Sequence, residues 1–297
     1  MARSTIFFIC FLTLTALHGI HAVEYLVNNR ATTTPGGIRF RNELGAEYTK
    51  QRMAAASEFI WRIFQQNTPA ERINRPQVIL FVDQESKYVA YVVNNEIHVH
   101  DDYIENIKGD IKWDFNGVLF HEMTHIWQNG LGKAPVAVTE VIADYVRLKA
   151  NYIPAHWVKP GGGDRWDQGY DVTARFFDYC NGLKNGFVAE LNKKMKDGYS
   201  DSYFVDLLGK NVNQLWTDYK ANSDSSYTGS AAANSGVVKS DFKNSADVNS
   251  GAEHSVTVNS GDAFADTSVN CMAYSAETFV ARSNNLNHAA GLKFDPG

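Results

Sequence analysis

The sequence predicts an α+β fold, because most of its strand-like segments come first and most of its helix-like segments follow. Up to residue 100 the apolar segments are mainly short and bounded by turn residues, which is typical of strands. After residue 110 the apolar residues recur at helical spacing over longer segments. Strands and helices that are separated along the chain in this way indicate the α+β class.

The first part of the chain contains the strand-like segments and one long helix. The helix is predicted over 43–66, where apolar residues recur at helical spacing and Thr49 is the one polar residue on the apolar face. Asn94 and Asn95 lie between the last two strands and predict a tight hairpin turn. The predicted strands are 24–28, 78–82, 88–93 and 96–100.

The second part of the chain is predicted to be helical. The apolar run 115–128 should form a helix that Asn129 and Gly130 end. A second helix is predicted over 135–151, with Pro135 in the first turn, where proline is favoured. After a glycine-rich loop, further helices are predicted over 167–180 and 187–195.

The N-terminal residues 1–22 have the features of a secretory signal peptide. Arg3 provides the positive charge, 6–17 is a short apolar run, and Ala22 is a small residue at the expected cleavage point. The apolar run is too short to span a bilayer. We therefore expect a secreted protein that does not sit in a membrane.

The C-terminal residues 222–297 differ in composition from the rest of the chain. They are rich in Ser, Asn, Ala and Gly, whereas 23–221 is dense in aromatic and aliphatic residues. We expect 23–221 to be the folded domain and 222–297 to be a flexible extension. The alternative that 263–282 packs on the domain stays open.

Composition and charge exclude some classes of partner. The chain is 44% hydrophobic and 21% charged, which is typical of a globular protein. Its net charge of −5 argues against nucleic-acid binding, and we expect a monomer. Cys10 would be removed with the signal peptide, so a disulfide between Cys180 and Cys271 is possible but open.

The segment HEMTH at 121–125 is the strongest chemical signal. His121 and His125 are four residues apart on a predicted helix, so both imidazoles share one face and can bind one Zn²⁺ ion. Glu122 is placed to hold a metal-bound water as a general base, as in the HExxH helix of zinc peptidases. Burying these polar groups in an apolar run would be costly without such a partner.

A catalytic zinc site needs a third protein ligand, and Glu140 is the best candidate. It lies on the next predicted helix, and Asp144 follows on the same face, where it could orient a ligand histidine. The alternative is that both acids pair with Arg147 or Lys149 on a solvated face. Asp144 and His156 stay open as other third ligands.

The metzincin pattern is excluded as the source of the third ligand. It requires glycine and histidine three and six residues after the second histidine. Gln128 and Leu131 occupy these positions here. A purely structural zinc site would need a fourth protein ligand, and no candidate stands out.

Several long segments resemble the basic secretory proteins of plants, a pathogenesis-related family that is classed with zinc metallopeptidases of the zincin type. The resemblance covers about 24–221. The segments that carry it are PGGIRFRNELG (35–45), NNEIHVH (94–100), GVLFHEMTHIWQ (117–128), EVIADYVRLKA (140–150), HWVKP (156–160), RWDQGYDVTARFFDYCN (165–181), GFVAELNKKM (186–195) and LWTDYK (215–220).

The resemblance implies a zincin-like fold, with a mixed sheet and the HEMTH helix packed beneath it. It implies that 96–100 is the sheet edge, able to bind a peptide substrate by strand addition. It also implies a role in plant defence or stress in the extracellular space or cell wall. Acidic residues slightly outnumber basic ones in 24–221, in contrast to the family's name.

The resulting hypothesis is zinc-dependent hydrolysis of peptide bonds, with Glu122 as general base. A further donor should stabilise the oxyanion, and Tyr170 is the candidate, with His156 as the alternative. Tyr170 could instead be an aromatic anchor of the following helix. The rival function is an extracellular protein of the same fold that binds peptide or glycan without turnover.

Overall fold

The computed structural model describes residues 23–84, 88–223 and 272–275. These residues form a mixed sheet with helices packed against it, so the predicted α+β class is confirmed. The predicted signal peptide lies outside the described residues, as does most of the predicted extension over 222–297. Within the described part, no helix combines the length and apolar character needed to cross a membrane.

The sheet has five strands in the order β1-β2-β4-β3-β5. β2 is parallel to β1 and β4, whereas β3 is antiparallel to β4 and β5. The four predicted strands are confirmed to within a residue or two at each end, and β5 comes from the C-terminal extension. The strands are β1 Glu24–Asn29, β2 Gln77–Asp83, β3 Tyr88–Val93, β4 Glu96–His100 and β5 Met272–Ser275.

The turn at Asn94 and Asn95 decides where β4 lies. Both residues have left-handed φ angles, 50° and 68°, which match the type I′ turn predicted for the hairpin. The hairpin places β3 on the outer side of β4, and β4 also pairs with β2. The expectation that 96–100 forms the sheet edge is therefore wrong, because β4 has a partner strand on each side.

The described helices include all five that the sequence predicts. No helix was predicted for α1, α3, α8 or α9, and the first three of these have seven residues or fewer, too few to show a clear period. The helices are α1 Pro35–Arg39, α2 Gly45–Ile63, α3 Asp101–Asn106, α4 Ile111–Trp127, α5 Val136–Lys149, α6 Tyr170–Leu183, α7 Phe187–Lys194, α8 Ser202–Leu208 and α9 Val212–Ser223.

Helix α4 is the central helix of the domain. It starts four residues earlier than predicted, because the Asp110 carboxylate accepts hydrogen bonds from the backbone N–H groups of Lys112 (2.9 Å) and Trp113 (3.1 Å). Every residue from 115 to 127 is buried. Because this part of the helix is buried on all sides, its charged and polar residues are not exposed to solvent on any face.

One hydroxyl group fixes α4 against α2 and the sheet. Ser57 on α2 accepts a hydrogen bond from the indole N–H of Trp127 (2.9 Å) and one from the hydroxyl of Tyr25 on β1 (2.7 Å). Its own hydroxyl donates to the backbone oxygen of Met53 (3.0 Å). These bonds fix the end of α4 that carries the HEMTH segment.

Helix α6 begins at Tyr170, three residues later than predicted, because Gly169 and Tyr170 both have positive φ angles, 92° and 45°. Cys180 on this helix is fully buried and has no disulfide partner among the described residues. The Cys180–Cys271 disulfide that the sequence left open stays a prediction, because Cys271 lies outside the described residues.

Replacing Phe204 by alanine should destabilise the domain by about 3–5 kcal/mol, because a large buried ring is removed. Phe204 on α8 is fully buried, with its ring centroid 5.4 Å from that of Phe187 and 6.0 Å from that of Phe177. Its neighbour Val205 is 47% exposed, so Val205→Ala should change stability by less than about 0.5 kcal/mol. Urea unfolding measures both, and equal effects would contradict this packing.

Candidate metal centre

Helix α4 places both histidines of the HEMTH segment on one buried face. His121 and His125 are each 1% exposed. Their Nε2 atoms are 3.2 Å apart, and the two ring planes are nearly perpendicular, at 83°. The i, i+4 spacing therefore directs both Nε2 atoms to one point, as the sequence predicts.

Helix α5 packs against α4 and brings Glu140 to the same point. Its Oε2 lies 3.1 Å from His121 Nε2, and its Oε1 lies 3.5 Å from His125 Nε2. Glu140 is 3% exposed and Asp144 is fully buried, so these acids do not lie on a solvated face. Lys149, one of the cations considered for them, pairs with Asp178 instead (2.9 Å).

The spacing of the three ligand atoms fits a tetrahedral metal ion. Zinc–nitrogen and zinc–oxygen bonds of 2.0–2.2 Å imply a distance of about 3.3 Å between neighbouring ligands. The two Nε2 atoms are 3.2 Å apart, and the carboxylate of Glu140 places Oε2 3.1 Å from His121 Nε2 and Oε1 3.5 Å from His125 Nε2, which are all close to this value. Among the described residues, these three side chains are the one group of His, Cys, Asp and Glu that could hold a metal ion.

Each histidine also has a partner at its other ring nitrogen. His121 Nδ1 lies 2.8 Å from Asp144 Oδ1, and the orienting role of Asp144 stays a prediction. His125 Nδ1 lies 3.1 Å from the side-chain amide of Gln128. Helical spacing gives no signal for this contact, because Gln128 follows the last helical residue and its backbone is already extended, with ψ at 150°.

The buried carboxylates and histidines shift one another's pKa values. Burial alone lowers the pKa of His121, but Asp144 and Glu140 outweigh it and raise the pKa to about 10. Burial lowers the pKa of His125 to about 4. Burial alone raises the pKa of Glu140, yet the two histidines outweigh it and the net pKa is lowered.

Glu122 differs from the other acids because neither of its carboxylate oxygens has a hydrogen-bond partner among the described residues. It is fully buried, and burial raises its pKa to about 8. The charge of His121 and, to a smaller extent, that of Arg147 lower this pKa, and Arg147 is itself only 3% exposed. The alternative that put Arg147 on a solvated face does not hold, because its guanidinium lies beside Gly117, where an added Cβ would be 2.9 Å from Arg147 Nε.

Tyr170 and His156 are both partly buried, outside the group of three ligand atoms. Tyr170 is the first residue of α6, the helix that packs against α5. Its φ of 45° is unusual for a bulky residue and is often associated with functional sites. The oxyanion role of Tyr170, with His156 as its alternative, stays a prediction.

Comparison with known proteins identifies the family. The profile of the family described as "Peptidase of plants and bacteria" matches residues 20–219, which is more than half of the chain. The chain belongs to this family. The resemblance to basic secretory proteins that the sequence motifs carry is thereby confirmed.

A relative in Boswellia serrata carries the name "Basic secretory protease". It is 50% identical to this chain over 56 residues, which are 19% of this chain and 62% of the relative. The chain thus spans less than two thirds of that relative's length. No solved structure matches the chain significantly.

The wild-type protein should bind about one zinc ion per chain, and His125→Ala and Glu140→Ala should each lose it, because either change leaves two protein ligands. Elemental analysis of the purified protein measures this. His98→Ala is the matched control, since His98 is also buried but lies on β4, outside the group of three. Zinc retained by Glu140→Ala alone would move the third ligand to Asp144 or His156.

Asp144→Asn should weaken zinc binding by about 10–100-fold, because the carboxylate that orients His121 through Nδ1 is replaced by a neutral group. Competition with a chelator of known zinc affinity measures the change. Asp101→Asn serves as the control, since Asp101 is 4% exposed but approaches His100 instead of a candidate ligand. Equal affinity in the wild type and Asp144→Asn would show that Asp144 has no orienting role.

Proposed function

We propose that this protein is a secreted zinc metallopeptidase with a zincin-like fold, which hydrolyses peptide bonds in the plant extracellular space or cell wall during defence or stress. The observation that carries the proposal is the meeting of three buried ligand atoms, from His121, His125 and Glu140, on the helix pair that also buries Glu122, whose carboxylate has no hydrogen-bond partner in the described part of the chain. Membership of a peptidase family supports the reaction class.

The fold supports the zincin-like assignment. The helix that carries HEMTH packs against β3, and a second helix supplies the acid that faces the histidines. His121, His125 and Glu140 would hold the zinc ion, and three protein ligands are typical of catalytic sites. A bound zinc ion lowers the pKa of its water to about 7 and polarises the peptide carbonyl.

Glu122 would act as the general base. Its two oxygens are buried and have no hydrogen-bond partner among the described residues, so either oxygen is available to accept a proton from water. A neighbouring cation favours the ionised form of a carboxylate, which is the form that a base requires. Glu122 would then donate that proton to the leaving amine.

Tyr170 would stabilise the oxyanion by donating a hydrogen bond from its phenol, with His156 as the alternative donor. The positive φ of Tyr170 supports this role, because such backbone conformations concentrate at active sites. Neither side chain belongs to the group of ligand atoms, so a donor role does not compete with metal binding.

Secretion is proposed from the features of residues 1–22 and from the name of the Boswellia serrata relative. The substrate is proposed to be a peptide or a protein, in agreement with the family description. The slightly acidic domain over 24–221 argues against attachment to the cell wall through positive charge.

Glu122→Gln should keep about one zinc per chain but lose peptide hydrolysis by about 10²-fold or more, because the general base is removed and the three ligands are retained. Zinc content and the cleavage rate of an unstructured protein substrate measure the two effects. Glu58→Gln on the exposed side of α2 is the control and should keep both properties.

Two other outcomes would contradict the proposal in different ways. A wild-type protein that binds zinc and peptide without cleaving the peptide would favour the rival function, a binding protein of the same fold. Hydrolysis that persists in Glu122→Gln would show that another group acts as the base.

A further inference from the structure

The two histidines of the metal centre are arranged in the same way. Each directs Nε2 toward Glu140 and Nδ1 toward a second side chain. For His121 that second side chain is Asp144, at 2.8 Å, and for His125 it is Gln128, at 3.1 Å. The similarity raises the question of which atom Gln128 offers to His125.

The chemistry of a metal-binding histidine answers this question. A neutral imidazole that binds a metal through Nε2 carries its proton on Nδ1, so Nδ1 needs a hydrogen-bond acceptor. The Asp144 carboxylate is an acceptor for His121. Gln128 can be one for His125 only through its side-chain oxygen, Oε1.

The structure places Nε2 of the Gln128 amide nearest to His125 Nδ1, and leaves Oε1 buried without a partner among the described residues. A half-turn of the amide exchanges these two atoms without moving the rest of the side chain, and oxygen and nitrogen have nearly the same shape. One amide atom is unpaired in either orientation, so the number of hydrogen bonds does not decide between them. The tautomer of His125 decides.

We propose that Gln128 is a positioning residue that holds the second zinc ligand: its Oε1 accepts a hydrogen bond from Nδ1–H of His125. This inference rests on the proposed function. The opposite orientation would put the imidazole proton on Nε2, which faces Glu140 Oε1 at 3.5 Å, and would remove His125 as a ligand.

The position of Gln128 suits this role. The residue is 2% exposed and caps the C-terminus of α4, where its backbone N–H donates to the backbone oxygen of Thr124 (2.8 Å). The next residue, Asn129, donates its backbone N–H to the side-chain oxygen of Asn192 on α7, also at 2.8 Å. The backbone on both sides of the Gln128 side chain is thus held in place.

A neutral acceptor is also favoured by charge. Glu122, Glu140 and Asp144 already place three carboxylates in this buried region, and a fourth would add to their repulsion. Glutamine supplies an acceptor of the same shape as glutamate without that charge.

The test compares zinc affinity in Gln128→Leu and Gln128→Glu, measured by competition with a chelator of known affinity. Gln128→Leu has no acceptor and should bind zinc about 10–100-fold more weakly than the wild type. Gln128→Glu keeps the acceptor and should bind zinc at least as tightly as the wild type. Nitrogen-15 spectra of the zinc-loaded wild type should show His125 protonated at Nδ1.

Gln66→Leu is the matched control, because Gln66 is also buried, its Oε1 has no partner within the described ranges, and it lies outside the metal centre. It should leave zinc affinity unchanged. Unchanged affinity in Gln128→Leu, or equally weak binding in Gln128→Glu, would overturn the inference while leaving the zinc site intact. A wild type that binds no zinc would instead overturn the proposed function, and this inference with it.

If Gln128→Leu does not fold, which thermal unfolding without zinc would show, Gln128→Glu and the spectra still decide. His125 protonated at Nε2 in the zinc-loaded wild type, or weaker zinc binding by a folded Gln128→Glu, would then overturn the inference.

Discussion

The burial of charge between α4 and α5 is the constraint on which the rest of the site depends. Removing an ion from water costs several kcal/mol unless it faces a compensating partner. With both imidazoles neutral, the carboxylates and the one guanidinium leave two negative charges, which one divalent cation would balance. The residues concerned, all 3% exposed or less, are His121, Glu122, His125, Glu140, Asp144 and Arg147.

Protons can provide the same compensation as a dication. The pKa of His121 is raised to about 10 and that of Glu122 to about 8, so at neutral pH both groups favour the protonated form. Metal binding at such a site releases protons, because ligands must be deprotonated. Protons on His121 and Glu122 would therefore balance the buried carboxylates when no metal ion is bound, and a divalent cation would balance them when those protons are released.

Much of the fold was predictable because its elements have strong local signals. The strands show short apolar runs, the central helices show a clear period, and Asn94 and Asn95 specify the hairpin turn. These local sequence signals do not determine the order of the strands in the sheet. The edge position expected for 96–100 was wrong because β4 has a partner strand on each side. One partner is β3, from the hairpin, and the other is β2, which comes before the hairpin in the chain and pairs with β4 instead of β3.

The site residues also differ in whether local spacing or the packing of two helices determines their position. His121 and His125 were predictable because spacing on one helix fixes a shared face, and Glu140 followed from the ligand count that zinc requires. Arg147 was missed because its burial depends on how α5 crosses α4 beside Gly117, which a single helix does not encode.

Gln128 was missed for a different reason, although it is only three residues from His125. Helical spacing predicts a shared face only while the backbone is helical, and at Gln128 ψ is already 150°. The side chain nevertheless turns back toward the preceding turn and reaches Nδ1 of His125. The end of a helix can therefore supply a partner for a ligand one turn earlier, and such a contact follows from the cap geometry instead of the helical period.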